Sequence, residues 1–71
     1  MTLSNQQRSD RFDATLATYS DDDPYTNLGD CLADAMHWCH LNDHEFEDAL
    51  DTARMHFDAE LLEDALTRGN V

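Results

Sequence analysis

Between Asp30 and His40 the chain reads DCLADAMHWCH, which puts two cysteines, two histidines, two aspartates and a tryptophan within three helical turns. Thiols and imidazoles at close spacing hold zinc or form a redox couple. Spacing decides between that chemistry and an amphipathic helix. On a helical wheel Cys31 and Cys39 fall beside the stripe of Leu28, Leu32 and Ala35, pointing inward. Eight residues of helix separate their Cα atoms by about 12 Å, and a disulfide needs less than ~7 Å. No CxxC pair is present. The expectation is two reduced cysteines acting as small apolar core residues.

His37, His40 and, if the helix persists, His44 share the opposite face near Asp30. Spacings of i, i+3 and i+7 can converge on a metal, and a metal-binding helical module is one alternative reading. The specific signatures, HExxH or paired CxxC, are missing. Solvent-facing histidines are therefore expected, His56 among them, with no metal site and no cofactor. Catalysis is not expected either. Ser4, Ser9 and Ser20 read as caps or surface residues, and no glycine-rich loop is present to cradle phosphate. A general acid–base pair of carboxylates needs a cleft that a thin helical domain lacks.

The carboxylates suit another purpose. Glu47, Asp51 and Asp58 lie along one side of a predicted helix, interrupted by Arg54. Residues four apart on a helix stand roughly 5–6 Å from each other. That is comparable to the spacing of successive phosphates on a strand, of the order of 6–7 Å, although the axial charge spacing of a duplex is shorter, about 1.7 Å. Such a row imitates a phosphate backbone to a protein that reads one through Lys and Arg. Asp30 and Asp34 add to it from the preceding helix, and Asp21, Asp22, Asp23, Asp43 and Glu45 from the loops. Trp38, at the border of the apolar stripe, is either a core-edge residue or an interface anchor.

Net charge is −12 in 71 residues, from sixteen acids and four arginines without a lysine. Arg8, Arg11, Asp10 and Asp13 cancel, so everything from Ser20 onward carries the whole −12. This balance disfavours direct contact with nucleic acid or with anionic membranes, and favours basic partners. Twelve Asp against four Glu is also a composition expected of salt adaptation. No apolar run is long enough to span a bilayer, and the first ten residues lack signal-peptide features, so a cytoplasmic location is expected.

These residues are positioned by helices. Gly and Pro are scarce and β-branched residues few, so the chain reads as one all-α domain of three helices. The first spans about 4–19, capped by Ser4, with Phe12, Leu16 and Tyr19 on one face. A hairpin follows, at about 28–42 and 45–67. Its first helix opens after Thr26 or Asn27, because Pro24 disfavours helical geometry at Asp23. Asn42 or Asp43 ends it, and Arg68 with Gly69 stops the last helix. That last helix carries two apolar stripes, one of Phe46, Ala49, Leu50, Ala53, Phe57 and Leu61, the other of Met55, Ala59, Leu62 and Leu66. The first helix covers one; a partner or a second copy, as a homodimer, is expected on the rest.

Residues 26–60 resemble a segment shared by small uncharacterised proteins of phages and plasmids, through LADAMHWC followed by FEDALDTARMHF. In size, acidity and helical hairpin the chain is also similar in type to the anti-CRISPR and anti-restriction inhibitors that such elements carry. That resemblance implies stoichiometric blockade of a basic nucleic-acid-binding protein or CRISPR effector complex in the host cell, and it transfers no residue's role. The expected partner-binding residues are Asp30, Asp34, Trp38, Asp43, Glu45, Glu47, Asp51 and Asp58. A helical adaptor that dimerises or binds through its apolar face is the main alternative.

Overall fold

Ser4 starts the first helix. Its hydroxyl accepts from the Gln7 N–H at 3.1 Å, and the Gln7 side-chain oxygen accepts from the Ser4 N–H at 2.8 Å. This reciprocal pair satisfies two donors at the helix start. The computed structural model describes residues 3–69, and in it α1 runs Asn5–Leu16. The helix stops short of the expected Tyr19. Tyr19 instead closes a turn onto the Leu16 carbonyl at 3.0 Å, which carries its ring away from the stripe of α1 and toward the second helix.

That helix, α2, spans Pro24–Leu41, so it begins before the expected Thr26 or Asn27. Asp23 is extended, as a residue before proline should be, and it is the cap: its carboxylate accepts from the Tyr25 N–H at 3.1 Å and the Thr26 hydroxyl at 3.0 Å. Pro24 takes the first helical position, where its missing N–H costs nothing. Asn27, relieved of capping, becomes a buried clasp that accepts from the Asp21 N–H at 3.1 Å and donates to the Asp21 carbonyl at 2.9 Å.

At the far end Asp43 adopts a left-handed φ of 57° and the His44 N–H reaches back to the Cys39 carbonyl at 2.8 Å. This is a Schellman ending with Asp43 in the position that glycine usually fills. It turns the chain into α3, Phe46–Gly69, a rod of 24 residues and about 36 Å that runs past the expected stop. The fold is thus a small all-α domain of three helices, its hairpin formed by 24–41 and 46–69. Among the described residues no helix is long and apolar enough to cross a membrane.

The helices touch at few points. Arg8 of α1 pairs with Glu60 of α3 at 3.1 Å, and Asn5 donates to the Glu60 carbonyl at 3.3 Å. Cys39 is the one buried apolar residue among those described. The expected core stripes are largely open: Leu32 is exposed, and Phe57 and Leu61 of the first α3 stripe are 57% and 48% exposed. Periodicity marks which faces are apolar, but the expectation that they form a core fails, because three helices splayed in this way do not cover them. The chain exposes 6160 Å², where a folded monomer of its 8.1 kDa should expose about 4,500 Å². Its radius of gyration is 14.8 Å, against about 11 Å for a compact chain of this length.

Candidate protein-binding surface

On α3, Glu47, Asp51 and Asp58 lie within about 40° of one another around the axis and span about 16 Å along it. All three are exposed, and none has a hydrogen-bond or ion-pair partner among the described residues. The row runs between the two apolar stripes of the same helix, and at its far end Asp58 is flanked by exposed hydrocarbon, Leu61 and Phe57 on one side, Met55 and Leu62 on the other. Arg54 interrupts the row, as the spacing requires.

The turn between α2 and α3 holds a second group. Trp38, 58% exposed, stacks on His44 with ring centroids 5.3 Å apart and planes 11° from parallel. The Schellman ending makes this contact possible: it takes His44 off the helix and folds it back over the last turn of α2. Trp38, His44, Glu45 and Asp48 border one shallow cavity of about 550 Å³, and Asp43 and Glu45 border another of about 400 Å³ with Met36 and Phe46. The turn therefore joins an exposed aromatic plate to three of the neighbouring acids. His44 and Asp48 were not among the expected site residues. The stack depends on a left-handed residue at Asp43, for which the sequence offers only the pair Asn42-Asp43 as a signal.

Asp34 lies one helical turn before Trp38 on the same side of α2, and Asp30 one turn further back. Asp34 is engaged within the fold, accepting from the Tyr19 phenol at 2.6 Å. That bond, followed by desolvation and a contact with the Cys31 thiol, holds the phenol well above its ordinary pKa. Asp34 thus serves first as an anchor for the α1–α2 connection. Asp30 is exposed and free of partners among the described residues. Of the eight expected residues, Trp38, Asp43 and Glu45 gather at the turn and Glu47, Asp51 and Asp58 form the α3 row, while Asp34 and Asp30 continue back along α2 from Trp38, one turn and two turns away.

The cysteines are both free, Cys39 buried and Cys31 half-buried. His37 and His40 remain on α2 while His44 is held by Trp38, so the i, i+3, i+7 series does not continue along one helix. No group of three His, Cys, Asp or Glu among the described residues is placed to hold a metal ion. No protein-family model matches the chain, and no curated protein or solved structure is significantly similar to it.

Proposed function

We propose that this chain is a non-enzymatic inhibitor of the anti-CRISPR type, carried by a phage or other mobile element and acting in the host cytoplasm. It places an acidic helix in the basic nucleic-acid channel of a host defence complex. The observation that carries this reading is the row of Glu47, Asp51 and Asp58: exposed, unpaired among the described residues, and fixed on one helix, the first two about 6 Å apart along the axis and the third about 10 Å further on. RNA-guided effectors hold nucleic acid in positively charged channels and read a short flanking motif by protein contacts, so a competing acidic rod blocks target engagement. The acids supply steering. Trp38, exposed beside Glu45 and Asp48, supplies the desolvated anchor that charge alone does not.

A second reading, a helical adaptor that binds through apolar surface, is favoured by Met55, Leu62 and Leu66, each at least 60% exposed. Charge reversal separates the two. Replacing Glu47, Asp51 and Asp58 by Lys should abolish inhibition of the target complex's DNA binding in a gel shift at matched salt, with helix content unchanged. Wild-type potency in that variant would exclude the acidic row and leave the adaptor reading.

A further inference from the structure

We infer that the apolar groove between the three helices is covered by a second copy of this chain, and that the folded species is a homodimer. Phe12 of α1, Leu28 of α2, and Ala53, Phe57 and Leu61 of α3 line a cavity of about 730 Å³ that stays open to solvent. Area argues first. The chain exposes 6160 Å², in excess of a folded monomer of its mass by roughly 1,700 Å². Stable interfaces remove about 800 Å² from each partner, and obligate homodimers roughly 1,000–2,500 Å². That excess is spread over all the open faces, the stripe of Met55, Leu62 and Leu66 included, and it leaves ample area for an interface of standard size over the groove.

Charge argues second, and selects the occupant. Two chains of −12 can approach only through a face without net charge. The groove is such a face: its two charged side chains, Arg8 and Glu60, neutralise each other at 3.1 Å, and α1 along its edge carries Arg8, Arg11, Asp10 and Asp13. A basic partner gains nothing there and is drawn to the acidic row instead. A second copy brings the same neutral, apolar patch, as a two-fold interface requires.

The row Ala53, Phe57, Leu61 supplies the fit. It repeats every four residues, and four-residue ridges pack into each other in the commonest helix–helix arrangement. An antiparallel crossing centred on Phe57 sets the small Ala53 of each copy against Leu61 of the other. Domains of this length commonly rely on disulfides, metals or association to stabilise a thin core. Here both cysteines are free and the described core is Cys39.

The test is the mass of the purified full chain, by sedimentation equilibrium and native mass spectrometry. A dimer of twice 8.1 kDa is expected, and its fraction should rise with salt as repulsion is screened. That response is opposite in sign to the acidic row's binding to a basic complex, so the two proposals fail separately. A helical monomer, with or without a bound apolar small molecule, or an assembly larger than two, overturns the inference. The face is tested by thiol trapping in a Cys31→Ala, Cys39→Ala background. Phe57→Cys should link two chains through a disulfide, since residues at a two-fold come within about 7 Å. Met55→Cys, on the other stripe, should not. Equal or greater linkage through Met55→Cys overturns the groove as the interface.

Discussion

A phenol that donates to a carboxylate at 2.6 Å holds its proton more tightly than one in water, and Tyr19 is in that position beside Asp34. In a Tyr25→Phe variant, the remaining phenolate absorbance should therefore appear only above the ordinary pKa of 10.0. The linkage has a definite sign. The folded pKa is raised, so the bond's contribution to stability is complete below about pH 10 and is lost as pH rises through the folded value. Thermal melts should show this alkaline loss in the wild type and a smaller one in Tyr19→Phe. Titration at the ordinary value would mean that Tyr19 does not hold the α1–α2 connection to α2. None of this was legible from periodicity, which assigned Tyr19 to the stripe of α1. Its partner lies fifteen residues away on another helix, and a single tertiary hydrogen bond leaves no repeating signal. The cysteines were legible, because eight residues of helix forbid their pairing. Removing both thiols as Cys31→Ala with Cys39→Ala should lower stability by about 1 kcal/mol, read from the urea midpoint, and leave the chain's mass unchanged.

Each helix was legible as an element because its apolar residues recur at helical spacing, whereas its ends depend on single residues. Pro24 shows the difficulty. The same ring that bars Asp23 from helical geometry suits the first position of α2, so one residue signals both a break and a start. At the other end of α2, Asp43 pays for the Schellman turn with a left-handed backbone. Asp43→Val should lower stability by about 1–2 kcal/mol, because a branched side chain fits that region poorly, while Asp43→Gly should hold or slightly raise it. Denaturant midpoints of the two variants decide this. If Val is tolerated as well as Gly, the turn is not left-handed in solution, and the Trp38–His44 stack loses its support. The second stripe of α3 gives an element-scale check of a different kind. Leu62 and Leu66 are 62% and 60% exposed, so Leu62→Asp with Leu66→Asp should leave both helical circular dichroism and the chain's mass unaltered. Loss of helix would place these leucines in the main core.

For the whole molecule the same −12 acts in opposite directions on its own assembly and on its capture by a basic complex. Net charge was legible to the unit from the sequence. How little of the apolar surface three helices would cover was not, because a wheel shows which face is apolar and not whether a neighbour reaches it. The two facts together determine the salt response. Like charges oppose both folding and the approach of a second copy, and at 0.1 M salt they are screened beyond about 10 Å. Stability and the dimer fraction should both rise as salt goes from low to physiological levels. Inhibition of a target complex should weaken over the same range, since steering by exposed acids is screened too. The Glu47, Asp51 and Asp58 to Lys variant sharpens the contrast. Each reversal adds two charges, so three take the net from −12 to −6. Self-repulsion falls, and the variant's melting temperature should be higher than wild type at low salt and nearly equal at high salt. Its inhibition should be lost at every salt concentration. A variant that gains stability and keeps inhibition would assign the acidity to solubility or salt adaptation, and would move the search for the binding surface to the apolar stripe of Met55, Leu62 and Leu66.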